Sequence, residues 1–278
     1  MKKRPTLSVI LSTYNQQEWL EKVLWGYEHQ SAADFELIIA DDGSSHETQQ
    51  VIDNFKRQST RPLIHLWHED DGFQKTKILN KAIQASTSDY LLFSDGDCIP
   101  RHDFVAEHLM HRQAGYFLSG GYFKLPMSIS KAVTLDDIAR GNCFDIHWLQ
   151  QLGLKSSFKN NKLTSFGLKA KCLNFITPTK ATWNGHNASG WKDDIVKVNG
   201  FDERMQYGGE DRELGERLVH LGRRSKQLRY SAICVHLDHA RSYVKPEMLC
   251  KNAAIRLSTK QKKLIYTPYG LKQNSNVV

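Results

Sequence analysis

The run DYLLFSDGD ends in Asp95-Gly96-Asp97, two carboxylates two residues apart behind an apolar stretch. In an extended segment residues i and i+2 project to the same side, so both carboxylates are expected to face one point. A divalent cation would remove their repulsion. Hard oxygen donors at this spacing suit Mg²⁺ or Mn²⁺, with phosphate oxygens completing the shell. The plain alternative is a tight turn with Asp at its corners.

A second group is Gly208-Gly209-Glu210-Asp211, a break just before a helical stripe of Leu214, Leu218 and Leu221. Asp211 precedes Leu214 by three residues and so projects on the same inward face. In the first helical turn, the dipole and free N–H groups are expected to keep its pKa low. An inward carboxylate at such a break suits a general base or a substrate clamp. Glu210 and Glu213 read more simply as acids capping a helix. A third group closes the strand-like YSAICVHL, where His236 and His239 could complete a metal shell through imidazole nitrogen. With no third ligand nearby and no HExxH helix, a zinc hydrolase is disfavoured.

The elements that must position these groups alternate through the first hundred residues. LSVILST (7–13), FELIIADDGS (35–44), LIHLWH (63–68) and DYLLFSDGD (89–97) read as strands or strand-turns. QQEWLEKVLWGYEHQ (16–30), ETQQVIDNFKRQ (47–58, capped by Ser44 or Ser45) and KTKILNKAIQAS (75–86) read as helices. The pattern predicts an α/β fold, a mainly parallel Rossmann-like sheet flanked by helices. Ligands of such sheets sit beyond the carboxyl ends of the strands. Three strands there end in polar turns: Thr13-Tyr14-Asn15, Asp41-Asp42-Gly43-Ser44 and Asp95-Gly96-Asp97.

The second half is less regular. GYFLSGGYF reads as a strand and SKAVTLDDIAR as helical. Residues 150–172 carry Lys155, Lys159, Lys162, Lys169 and Lys171, and read either as a mobile or acceptor-side loop or as a plain solvated one. Helical character is weak from 240 to about 263, and NSNVV is expected to fray. The expected division is 1–110 and 111–240, two halves of the same domain, and 241–278, a basic extension.

The 278 residues, 40% hydrophobic and 10% aromatic, suffice for a real core and exclude bulk disorder. The net charge of +8 points to an anionic partner: nucleotide, nucleic acid or membrane surface. Five cysteines without a CxxC pair argue against a disulfide framework and for a reducing compartment. No stretch reaches the roughly 20 apolar residues of a membrane span. The expected location is cytoplasmic, soluble or peripheral at the inner face of the membrane.

Together these segments resemble the family 2 glycosyltransferases of the GT-A fold. SVILSTYN, ELIIADDGSSHET, GFQKTKILNKAI and YLLFSDGDCIP carry the N-terminal resemblance over about residues 7–110. GHNASGWKDDIVKVNGFDERMQYGGEDRELGERL, followed by VHLDH, is similar to the galactosyltransferase-type segment of β-1,4-galactosyltransferases and bacterial chondroitin polymerases. Residues 120–180 match no motif.

The resemblance implies roles residue by residue. Thr13, Tyr14 and Asp41 would line the nucleobase and ribose pocket, with Asp42 nearby. Lys75 and Lys77 would approach the nucleotide. Asp95, followed by Gly96, would lie near the ribose and metal, and Asp97 would bind the metal directly. Asp211 would be the catalytic base, with Glu210 contacting a sugar. His236, or alternatively His239, would be the late metal ligand. Trp183, Asn187 and Trp191 would contact sugar.

The implied activity is inverting, Mn²⁺- or Mg²⁺-dependent transfer of a hexose or N-acetylhexosamine. The donor would be a UDP-sugar and the acceptor a hydroxyl of a surface glycan or glycolipid, lipopolysaccharide or capsule, with no nucleic-acid partner. Two rivals remain at this stage. A nucleotidyltransferase would share strand-end carboxylates, but LSTYNQQEWL lacks its Gly-rich phosphate loop. A non-catalytic carbohydrate- or nucleic-acid-binding protein fits the charge, but the aromatics follow helix and strand periodicity.

Overall fold

The computed structural model describes residues 4–180, 182–240 and 244–272; NSNVV lies outside them. In chain order the elements are β1 (Leu7–Thr13), α1 (Gln17–Glu28), β2 (Phe35–Asp41), α2 (His46–Gln58), β3 (Leu63–Trp67), α3 (Lys75–Ala85) and β4 (Tyr90–Asp95). There follow β5 (Cys98–Pro100), α4 (Phe104–His111), β6 (Tyr116–Lys124), α5 (Met127–Ala132), α6 (Leu135–Arg140), α7 (Ile146–Gln151), α8 (Asn161–Thr164) and α9 (Gly167–Ile176). The last are β7 (Ala188–Trp191), α10 (Lys192–Lys197), α11 (Glu210–His220), β8 (Arg224–His236) and α12 (Pro246–Gln261).

Among the described residues eight strands form one sheet, in the order β3-β2-β1-β4-β7-β6-β8-β5. The β3-β2-β1-β4 half is parallel. Beyond it β7 runs antiparallel to both β4 and β6, β8 is parallel to β6, and β5 is antiparallel to β8. The fold is α/β as expected, with antiparallel pairing confined to the second half.

Strand β1 is buried along its whole length, because helices cover both faces. Its period of two sorts the core: Leu7, Val9 and Leu11 join one cluster with α1, and Ile10 joins the other with Ile78 and Leu79 of α3 and Leu214 of α11. The register Ser12↔Asp95 and Thr13↔Asp41 brings the three polar strand ends to one edge.

Two local expectations change. Residues 150–172 are not an open loop, since α8, α9 and a short 3-10 turn at Phe158–Asn160 occupy them. SKAVTLDDIAR is two helices, because the Thr134–Asp137 capping box starts α6 afresh. Residues 244–272 pack onto the body: Asn252 of α12 donates to the carbonyls of Gln206 and Gly208, and Thr259 donates to Glu213.

Candidate active site

A cleft of about 770 Å³ opens at the edge where β1 and β4 end, lined by residues of β1, α3, the β4–β5 turn, the 183–186 segment, α11 and the end of β8. Thr13, Tyr14, Asp42, Lys75, Asp95, Gly96, Asp97, Glu210, Asp211, His236 and His239 all line it.

The two acids of the DGD turn have separate partners, and so do not face one point. The chain turns at Gly96, whose N–H bonds to the Ser12 carbonyl at 2.8 Å, and the extended geometry is lost after Asp95. Asp95 accepts from Ser12 Oγ and from Lys75 Nζ, each at 2.7 Å. Burial opposes its ionisation, but Lys75 and Ser12 outweigh burial and hold the carboxyl well below its usual range. Lys75 is itself half-buried, which disfavours its charge. Asp95, Asp211 and Glu210 more than compensate and raise its pKa well above the ordinary value.

Asp97 faces the histidines instead. Antiparallel pairing places Cys98 opposite His236, and Leu237 N–H bonds to the Asp97 carbonyl at 2.9 Å. His239 Nε2 lies 2.9 Å and His236 Nε2 3.7 Å from Asp97 Oδ2, with the two imidazoles stacked 5.5 Å apart. The ligand atoms of Asp97, Cys98 and His236 lie within 4.8 Å of one another. Cys98 Sγ donates to Asp97 Oδ1 at 3.3 Å, and burial with the neighbouring Cys234 pushes its thiol well above the ordinary pKa. Asp97 and the two histidines offer carboxylate and imidazole donors, and the buried His236 Nδ1 lacks a hydrogen-bond partner. With phosphate oxygens completing the shell, such a set fits a divalent transition-metal ion such as Mn²⁺. Asp95, tied to Lys75, lies outside that cluster.

Asp211 corrects the expectation of a low pKa. Gly208 and Gly209 take φ of 101° and 96°, a left-handed path that suits glycine and turns the chain into α11. The turn presses the Asp211 carboxylate inward, where Oδ1 is buried without a hydrogen-bond partner. Burial, then Glu210 and Asp95, push its pKa up to about 7 against the pull of Lys75. Desolvation beats the helix dipole here because no donor reaches Oδ1. Glu210 accepts from Gly208 N–H at 2.8 Å, and its pKa is raised by burial. Glu213 is no surface cap: it forms a buried ion pair with Arg217 at 2.7 Å.

Several expected residues lie elsewhere. Asp41 sits behind the cleft wall, bonded to Ser44 N–H and His65. Lys77, two positions on from Lys75 and so on another helix face, does not line the cleft. Asn187 is fully buried; it bonds to His108 and donates to the Gly121 and Ala232 carbonyls, so it has no group left for a sugar. Trp191 pairs with Tyr90 at the opposite end of β4 and donates to the Gln113 carbonyl. Trp183 touches the cleft, but it is fully buried against Phe93 and Phe117 and offers no free face for stacking.

Sequence reasoning passed over His186, Tyr122 and Gly185. His186 packs edge-on to Tyr122 at 4.7 Å, and its Nε2 is buried without a partner. Burial lowers its pKa to about 4, so the ring is neutral near pH 7. The only signal was their place in GHNAS and GGYF, since neither pattern has a spacing that marks chemistry.

Residues 8–123 match glycosyl transferase family 2, and residues 174–240 match the N-terminal domain of galactosyltransferase. Validoxylamine A glucosyltransferase of Streptomyces hygroscopicus subsp. limoneus is 26% identical over 232 residues, 77% of this chain and 48% of that protein. Chondroitin synthase of Escherichia coli is 24% identical over 226 residues, 78% of this chain and 32% of that protein. The chain thus spans about half or less of the length of these two relatives.

Among solved structures, the mannosyltransferase PcManGT from Pyrobaculum calidifontis, in complex with GDP-Man and Mn²⁺, superposes with a TM-score of 0.58 at 18% identity. That match covers 87% of this chain and 59% of the other. S. aureus TarS 1-349 in complex with UDP-GlcNAc gives 0.58 at 16% identity, covering 90% of this chain and 64% of the other. The family matches favour a glycosyltransferase over both rivals.

Proposed function

We propose, from the premise that this chain belongs to the family 2 glycosyltransferases of the GT-A fold, that it transfers a hexose or N-acetylhexosamine from a UDP-sugar to an acceptor hydroxyl with inversion. The observation that carries the reading is Asp211: a carboxylate with pKa of about 7, its Oδ1 unpartnered, in one cleft with the Lys75–Asp95 pair and the Asp97–His236–His239 set.

In this reading Thr13, Tyr14 and Asp42 receive the nucleoside, and Lys75 with Asp95 fixes its ribose–phosphate side. Asp97, His236 and His239 would hold a divalent cation, which when bound offsets the charge growing on the departing diphosphate. Asp211 takes the proton of the acceptor hydroxyl, whose oxygen bonds to the anomeric carbon as the opposite carbon–oxygen bond to phosphate breaks. A base with pKa near the working pH is well matched to that transfer. Glu210, one residue away, contacts a sugar hydroxyl. The Gly208-Gly209 break is the hinge of a closing segment that keeps water from the donor.

The acceptor is a surface glycan or glycolipid. Among the described residues no helix is long and apolar enough to cross a membrane. Peripheral contact with an anionic bilayer is favoured by α9 and its approach, where Phe158, Leu168, Phe175 and Ile176 are largely exposed beside Lys159, Lys169 and Lys171. Sedimentation with anionic and neutral vesicles tests that contact; no binding at low salt removes it. The activity is tested by UDP release over a panel of UDP-sugars with Mn²⁺ or EDTA. Metal-dependent release lost in Asp97→Ala and Asp211→Asn is the expected result. Absence of UDP binding by calorimetry would overturn the reading.

A further inference from the structure

The cleft does not end at Asp211. Past Tyr122, Trp183, Asn184, His186 and Arg212, which line both spaces, it continues into a second cavity of about 970 Å³. The charge of this cavity is one-sided. Lys162, Lys180, Arg212, Arg229, Arg256 and Lys260 line it, against Glu216 as the one carboxylate among the described lining residues. Arg256 and Lys260 share Glu216. Lys162, Lys180, Arg212 and Arg229 have no carboxylate partner among the described residues.

The fold builds this arrangement. Between Gly120↔Leu228 and Gly121↔Ile233 the register of β6 and β8 shifts, so residues 229–232 bulge out and carry Arg229 to the cavity. Asn174 of α9 pins the bulge, accepting from Tyr230 N–H at 2.9 Å and donating to Ser231 Oγ at 3.0 Å. Lys162 Nζ donates to the Tyr122 carbonyl at 2.8 Å and sits 5.0 Å from the centre of that ring. Burial, and after it the neighbouring Arg229, bring its pKa down to about 8. Trp183 adds a buried indole N–H with no partner. A neutral sugar chain would leave these charges uncompensated, whereas an anion would relieve them.

We propose that this cavity is the acceptor subsite and that it takes an acceptor bearing a phosphate or carboxylate group close to the hydroxyl that is glycosylated. The inference rests on the glycosyltransferase reading, with Arg212, next to Asp211, joining the two spaces.

The test is fluorescence anisotropy with three labelled probes: a chondroitin tetrasaccharide bearing carboxylates, a glycerol phosphate tetramer bearing phosphates, and neutral cellotetraose. Each is titrated with and without saturating UDP and Mn²⁺. The proteins are wild type, Arg229→Gln, Lys162→Gln and, as a control at an exposed position of α10, Lys197→Gln. One anionic probe is expected to bind at least tenfold more tightly than cellotetraose, more weakly as salt rises, and without displacement by UDP. Which probe binds distinguishes phosphate from carboxylate. Arg229→Gln and Lys162→Gln each lose about tenfold in that affinity, and Lys197→Gln loses none. Equal binding of the neutral probe, displacement by UDP, or unchanged affinity in both cavity variants would overturn the proposal. Should a variant fail to fold, the wild-type probe preference and salt dependence still decide. UDP affinity, measured separately, reports on the donor reading alone, so the two can fail independently.

Discussion

The backbone of Gly185 is pressed against the carboxylate of Asp211: a β-carbon at 185 would lie 2.4 Å from Oδ2 and 2.6 Å from Oδ1. No real side chain tolerates such contacts, so Gly185→Ala must displace the proposed base while adding only a methyl. The expected outcome is a loss of tenfold or more in kcat for UDP-sugar turnover, with UDP affinity and far-UV dichroism unchanged. Unchanged kcat would show that the position of Asp211 is not critical.

As the proposed base, Asp211 acts only when deprotonated, and its pKa is about 7. The rate kcat/KM should therefore rise about tenfold per pH unit below pH 7 and level off above it. A profile from about pH 5 to 9 checks this, and Asp211→Asn should lack the limb entirely. A limb near the ordinary carboxylate range would place the proton transfer on another group.

The same raised pKa has a stability consequence. Between the unfolded value of 3.8 and the folded value of about 7 the native state binds the extra proton. Stability from this group is thus full below pH 3.8 and is lost as pH rises through 7. Asp211→Asn removes that loss, so it should raise Tm by a few degrees at pH 8 and change it little at pH 4. Scanning calorimetry at the two pH values measures it.

Mn²⁺ bound by Asp97, His236 and His239 should stabilise the native chain, by about 2.7 kcal/mol at 100-fold excess over Kd. A rise in Tm with Mn²⁺, absent in Asp97→Ala and reduced in His236→Ala and His239→Ala, is expected. Retention of the shift in Asp97→Ala would move the site elsewhere.

Glu213 and Arg217 have another use. Arg217 is fully buried; beyond Glu213 it donates to the carbonyls of Val198 and Gly200. Glu213→Gln leaves a buried charge without its partner, which costs about 3–5 kcal/mol. Urea unfolding should show a lower midpoint with an unchanged slope.

Local sequence determined a good part of this molecule. The buried strands, the polar strand ends and the Gly-Gly break before α11 follow from short-range periodicity and backbone preference, and they placed Asp42, Asp95, Asp97 and Asp211 in one cleft. What the sequence could not decide were the pairings made over distance. Asp97 meets His236 because β5 pairs with β8, and Lys75 meets Asp95 because α3 packs on β1 and β2 and starts beside the end of β4. Trp191 is lost to the site because β7 runs antiparallel to β4 and carries it to the far end of the sheet, whereas Asn187, at the cleft end, turns its side chain into the core beside His108. The charge state of Asp211 was beyond sequence too. A helix start favours the anion, and only the tertiary structure, by burying Oδ1 without a donor beside Glu210, reverses that preference.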